Sequence, residues 1–315
     1  MYLRSLNKDL RNFLFKQGVA LPAIGDVRMV LKAGTNTESY WTDKVPAGYK
    51  FPTMADVNAE VQSLQNDCVI ITPESHSLAA ALTISANGTH WVGAALGKMN
   101  VRSRIGMSTT FTPMITVSGY GNSFHNLYTM HGTAAGDYVG WSITGARNAF
   151  YNVHFAGPMA AAQGGHASYE GVTIDGSENF FKDCVFGTDT IGRDETTPNI
   201  TLGAGTLTVF ESCLFLCNLT DGDPNFIKAE NTTGYTWALF KGCTFMAFNS
   251  NYATAMTKAI ECTGGASCAL VFDPMCVFQN VTALSDATDD VFVWYPVTFS
   301  TTTDTAALLS VKLAV

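Results

Sequence analysis

Five carboxylates fall along one stretch of the chain, Asp189, Asp194, Glu195, Asp221 and Asp223, with Arg193 among them. Two facing carboxyl groups can hydrolyse a glycosidic bond, one as acid and the other as base or nucleophile. Acidic calcium ligands beside an Arg or Lys base would support proton abstraction instead. Asp221-Gly222-Asp223-Pro224-Asn225 has the flavour of a calcium loop, but lacks the remaining ligands and the closing Glu. The plainer reading is solvated loop charge, because Asp suits Gly-rich turns for backbone reasons alone. That reading is preferred. No catalytic residue and no metal site is assigned, and the six residues stand as an acidic loop face open to a glycan.

Other chemistry-bearing residues are scattered. The histidines are His76, His90, His125, His131, His154 and His166. His125 and His154 sit inside a repeated phrase, which favours a stacked structural role for at least one. His166 follows Gly164-Gly165 in what reads as a flexible loop. Tyr169, Tyr235 and Trp237 can stack on sugars, although such residues serve equally at protein interfaces. No GxSxG, Walker or Rossmann pattern occurs, and no cofactor is expected. Cys213/Cys217 and Cys262/Cys268 lack the spacing of zinc pairs.

The elements that would position these residues come from a repeat. Leading aromatics at Phe124, Phe150, Phe181, Phe210, Phe240 and Phe272 open six copies of one phrase, at steps of 26, 31, 29, 30 and 32. Each copy continues with a polar residue, then a small or turn-forming one, then an apolar one, and usually closes on an aromatic. The apolar position is Cys184, Cys213, Cys243 and Cys276 in four copies. A short apolar strand and a Gly/Asn/Ser turn precede each copy, as in Val172-Thr173-Ile174 with Gly176-Ser177-Glu178-Asn179. A period of this size, with alternation inside each copy, is the signature of a solenoid of strands.

Leading Phe, Cys and closing Phe cannot share one face of an unbent strand. A bend at Asp183, Ser212, Gly242 and Pro274 resolves this and turns the chain between two sheets. The four repeat cysteines then form an inward thiol ladder of small buried hydrophobes, and disulfides between them are disfavoured in a reducing cell.

This pattern resembles the right-handed parallel β-helix of pectate-lyase-like proteins. In that resemblance Asn126, Asn152, Asp183 and Ser212 occupy a sharp polar corner, from which Gly242 and Pro274 depart. Met54, Val57, Val61 and Leu64 lie at helical spacing, with Thr53 as N-cap and Asp56 three residues on. A helix followed by strand, Pro-turn, strand and Trp91-Val92-Gly93-Ala94 resembles the capped first coil of β-helices in tailed-phage virion proteins. The fold class is therefore all-β, a single-stranded right-handed parallel β-helix with a short capping helix and an N-terminal arm.

Four segments are expected: an attachment arm over 1–50, a capping helix over 51–65, the β-helix over 66–280, and closing or oligomerisation strands over 281–315. In the arm, Leu3, Leu6, Leu10, Phe13 and Leu14 recur at helical spacing with Arg4, Lys8 and Arg11 opposite. These eight residues are the expected partner-binding set, their apolar face meeting another protein. Net charge is −8 and charged residues are 14% of the chain, which argues against general nucleic-acid binding. Nothing approaches the length of a membrane span. Charges at Arg4, Lys8, Asp9, Arg11 and Lys16 interrupt any secretory signal, so synthesis in a host cytoplasm is expected.

The resemblance implies a non-enzymatic phage virion structural protein. It would be a capsid decoration protein whose arm docks on the major capsid protein. The alternative is a tailspike or tail-fibre protein that binds or cleaves host surface polysaccharide. Other virion proteins are the expected partners, with a homo-oligomer, such as a trimer, and a host glycan within scope.

Overall fold

The computed structural model describes residues 12, 16, 26–30, 45, 47–95, 102–132, 139–203, 207–221, 224–230, 236–249, 254–263, 268–285 and the backbone of 291–294. The expected partner-binding residues Leu3, Arg4, Leu6, Lys8, Leu10, Arg11, Phe13 and Leu14 lie outside the described residues, as do Asp223 and Tyr235.

The chain is a right-handed parallel β-helix. Three sheets run along its length, of eleven, nine and seven strands, and from Cys68 onward neighbouring strands within each are about one coil apart in sequence. Every pairing is parallel, so each coil satisfies its backbone against the coils above and below. One coil shows the pattern. Ala149–Tyr151 lies in the first sheet, His154–Pro158 in the second, Glu170–Ile174 in the third, and Phe180–Lys182 returns to the first.

Register puts like on like. The leading phenylalanines stack from Phe124 to Phe272 with ring centroids 4.6–4.9 Å apart. The closing aromatics Phe155, Phe186, Phe215, Phe245 and Phe278 form a second stack at 4.4–5.0 Å. Edge-to-face contacts join the two stacks, as between Phe181 and Phe186 at 5.6 Å. Offset and T-shaped aromatic pairs contribute about 0.5–1.5 kcal/mol each beyond area burial. Trp141, Val172, Ile200, Ile227 and Ile260 fill the third wall in register.

The expected bend is a one-residue corner in the left-handed region. Asn126, Asn152, Asp183, Ser212 and Gly242 have φ of 53–56°. Each of the first four donates its N–H to the carbonyl that precedes the corner of the next coil, as in Asp183 N to Glu211 O at 2.9 Å. The sixth phrase, one residue longer, cannot repeat this. There the Asp273 carboxylate accepts from Gly242 N at 2.9 Å and from Met275 N at 3.0 Å.

The corner brings the fourth phrase position inward, and the thiol ladder forms. Cys184, Cys213 and Cys243 are buried and Cys276 is half-buried. Each sulfur bonds to the leading-Phe carbonyl of the coil before, from Cys184 Sγ to Phe150 O at 3.4 Å through Cys276 Sγ to Phe240 O at 3.4 Å. All four are free thiols. Burial pushes the Cys213 thiol well up, so it stays protonated and unreactive.

The base of the solenoid departs from expectation in two ways. The capping helix runs only over Met54–Glu60, because Val61 turns extended and Leu64 takes φ 62° in an exposed turn. Thr53 caps it as expected, accepting from Asp56 N at 3.1 Å. Second, the segment assigned to the arm contributes a rung. Val27–Val30 pairs in parallel with Cys68–Ile71 and is fully buried.

Asp67 ties this rung down. Its carboxylate accepts from Arg28 Nη1 at 2.5 Å, Asp26 N at 2.9 Å and Gln62 N at 2.9 Å. Arg28 is 7% and Asp67 2% exposed. Truncating one partner of a buried pair strands the other charge. Asp67→Ala is therefore expected to cost about 3–5 kcal/mol in urea unfolding, while replacing Arg28 and Asp67 together by Met and Leu costs far less. Equal losses from the single and double variants would remove the pair from the base's stability.

Candidate functional site

The described acidic loop residues differ in exposure. Asp189, Asp194 and Glu195 are exposed, and Asp221 is half-buried at the end of Leu214–Leu219. Arg193 turns the other way and is 2% exposed. Its guanidinium donates to Asn199 Oδ1 at 3.0 Å, to Thr197 Oγ1 at 2.9 Å and to Thr197 O, and lies 4.9 Å from the Tyr169 ring centroid. Placing Arg193 on an exposed acidic face is thus corrected: neutral acceptors and a π face inside the solenoid hold it. Tyr169 is buried against it, with His131 stacked on its ring at 5.5 Å. Burial pushes the Tyr169 hydroxyl up to about 12. It is an internal plate and presents no stacking surface to a sugar.

A different site forms on the outer face of the eleven-stranded sheet. Side chains alternate along a strand, so with Trp91 and Phe124 inward, His90, Ser123 and His125 point outward. His90 lies directly across from Ser123 in the ladder, and His125 follows two residues along the same face. Ser123 Oγ is 2.7 Å from His90 Nδ1 and 2.9 Å from His125 Nε2. The next coil supplies Tyr151, registered opposite His125, with the two rings stacked at 4.9 Å and 14°. The coil after that supplies Lys182.

These residues line a cavity of about 610 Å³. Lys16, from the segment expected to be the arm, also lines it, as do Arg147, Asn126, Asn152 and Asp183. Asp183 is the one carboxylate among the described lining residues. Arg147 pairs with Glu178 and Lys182 with Glu211 at its edge. No group of three or more His, Cys, Asp or Glu suited to a metal occurs among the described residues.

Burial lowers His90 below its ordinary 6.5. Burial, then the charge of His90, lowers His125 to about 4. Both imidazoles are therefore neutral at neutral pH. A hydroxyl has one proton, so Ser123 donates to one ring and accepts from the other. The arrangement can hydrogen-bond a sugar hydroxyl, lay an aromatic face beside it and move a proton at Ser123.

The turn leading into this site carries an internal asparagine ladder. Asn122, Asn148 and Asn179 are buried, and each Oδ1 accepts a backbone N–H from the coil before, as in Asn148 N to Asn179 Oδ1 at 2.9 Å. Gly119, Gly145 and Gly176 let these turns nest, since a Cβ on Gly145 would strike the Gly119 carbonyl. The ladder fixes the strands that present Ser123 and Tyr151.

Sequence reasoning passed over Ser123 and His90 as a pair. The available signal was one earlier period: Trp91 sits 33 residues before Phe124 and occupies the leading-aromatic slot. Extending the repeat back by one coil registers His90 with Ser123.

No protein-family model matches the chain, and no curated protein does. Solved structures similar to it include a pectin methylesterase variant in complex with a hexasaccharide, at TM-score 0.59 and 14% identity over 87% of this chain and 91% of that one. A pectin methylesterase from Aspergillus niger gives 0.52 and 14% over 90% and 88%. Pectin methylesterase PemA from Erwinia chrysanthemi gives 0.51 and 13% over 87% and 91%. Likeness at this identity shows the fold alone.

The neutral, buried His125 makes stability depend on pH. Unfolded, it takes a proton near 6.5; folded, it does so only near 4. As pH falls the unfolded chain binds the proton first, so stability present above pH 6.5 is lost progressively toward pH 4. The loss is about 3 kcal/mol. Urea unfolding across that window is expected to show it, and His125→Gln to remove it; an unchanged slope in the variant would place the effect elsewhere.

Proposed function

We propose that this chain is a saccharide-binding β-solenoid whose ligand lies over the outer face of the eleven-stranded sheet. One observation carries the reading. A single cavity joins the half-buried aromatic ring of Tyr151 to the hydroxyl, imidazole, amide and cationic groups that sugar hydroxyls and carboxylates require. The fold supports it by association, since one similar structure, a pectin methylesterase, holds a hexasaccharide. Host surface polysaccharide is the ligand class that the tailspike alternative implies. The exposed carboxylates at Asp189, Asp194 and Glu195 lie outside the lining of that cavity.

Affinity electrophoresis against a panel of soluble acidic and neutral polysaccharides tests this. Retardation by at least one is expected, weakened about tenfold in Tyr151→Ala, an effect of about 1.4 kcal/mol. Retardation indifferent to Tyr151 would move the site, and no retardation across the panel would sink the reading.

A capsid decoration role is the second reading. It is favoured by the anchoring of Val27–Val30 in the body through Arg28 and Asp67, which would transmit force from a docked N-terminal segment straight into the solenoid. Localisation in a virion and a major capsid protein partner belong to this reading. Deleting residues 1–20 keeps the anchored rung and is expected to leave a folded solenoid that no longer incorporates into phage particles. Normal incorporation of the truncated chain would end it.

A further inference from the structure

We propose that Ser123 is the nucleophile, and His90 the base, of an acyl-transfer site that removes short O-acyl groups from the saccharide bound over it. The proposal rests on the saccharide-binding reading of the same cavity and adds a reaction to it.

The geometry sets Ser123 apart from hydroxyls that bind the neighbouring coil's backbone. Ser103 Oγ donates to Ile71 O at 2.8 Å, Ser108 Oγ to Leu78 O at 3.0 Å and Thr109 Oγ1 to Ala79 O at 3.0 Å, each binding the backbone of the coil before. Ser123 instead has imidazole nitrogens from two coils at 2.7 and 2.9 Å. It is half-buried and lines the cavity.

One tautomer serves both rings. With the proton on Nε2 in each, His125 Nε2–H donates to Ser123 Oγ and His90 Nδ1 accepts the Ser123 proton. His90 has the shorter contact, and His125 is held in plane by stacking on Tyr151. Both rings are neutral at neutral pH, so His90 is free to take the proton. A positioned base of this kind contributes roughly 100-fold or more to rate. The Lys16 ammonium and Arg147 guanidinium line the same cavity and favour negative charge developing on an acyl oxygen.

The steps balance without any outside reagent but water. The Ser123 proton passes to His90 Nδ1 as Oγ bonds to the acyl carbon. The tetrahedral adduct collapses, the bond from acyl carbon to sugar oxygen breaks, and that oxygen takes the proton from His90. Water then attacks acyl-Ser123, gives a proton to His90, and releases the carboxylic acid as Ser123 recovers its proton. The substrate class is a saccharide carrying an O-acyl ester, such as an O-acetyl group, on a ring hydroxyl.

The test uses a fluorophosphonate probe on the full-length native chain, read by intact mass and peptide mapping. The expected result is one adduct at Ser123, absent after denaturation, with labelling slowed about 100-fold in His90→Gln. Hydrolysis of p-nitrophenyl acetate should fall in parallel in Ser123→Ala. Absence of an adduct at Ser123, or labelling equal in wild type and a folded His90→Gln, overturns the proposal. Peptide mapping of the wild type decides without any variant having to fold. Labelling at Ser123 with no polysaccharide retained would sink the saccharide reading alone; retention without labelling would sink this proposal alone.

Discussion

In-register parallel stacking is the constraint on which the rest of this structure depends. Each residue's nearest neighbours along the axis are its own counterparts one coil away, so an inward side chain is tolerated only if it packs against the side chains at its own position in the adjacent coils. Phenylalanine meets this condition by offset stacking, cysteine by bonding to the preceding coil's carbonyl, and asparagine by handing its Oδ1 to the preceding coil's N–H. The left-handed corner is part of the same condition. It rotates the chain between sheets in one residue, which lets Phe, Cys and Phe face a common interior despite their odd spacing.

That constraint explains what was legible in the sequence. Positions repeating with the coil could be read directly: both aromatic stacks, the corner residues and the inward thiols. Thr53 as cap was readable because its partner is local. What escaped was set by contacts without a period. Val27–Val30 looks like an arm because its pairing partner lies 41 residues on, across a helix. Leu64 kept helical spacing but lost its helix because Val61 turns extended to start the first coil. Arg193 looked like loop charge, and the buried Tyr169, Thr197 and Asn199, which no motif links to it, turn it inward. The asparagine ladder left a trace, an Asn two residues before each of three leading phenylalanines, that reads as ordinary turn chemistry until the coils are stacked.

The candidate site arises where repetition lapses on the outer face. Along the row that holds His125, the registered residues run Val92, His125, Tyr151, Lys182, Glu211 and Lys241, each unlike its immediate neighbour. Inward rows are held uniform by packing, while an outward row is free to vary, and variation gathers unlike groups at coil spacing. Ser123 between His90 and His125 is such a gathering. It rests on a rigid ladder, so its geometry is set by the scaffold and not by loop conformation. The acidic loops have no comparable support.

The rung at Val27–Val30 has a consequence for the order in which the molecule is built. These residues are made before both of their described hydrogen-bonding edges, Cys68–Ile71 and the two-residue strand Lys50–Phe51. They must wait for chain made later, and the contact they wait for is long-range and slow to close. Coils from residue 68 onward can add in the order of synthesis, each templated by the last. A segment made before its partner thus docks only after that partner exists, and it docks by sealing the Arg28–Asp67 pair away from water. Until that closure the base presents a bare strand edge, the kind of edge that recruits other chains. The ion pair therefore works as a clasp on a growing stack: its formation marks the point at which the Cys68–Ile71 edge is covered.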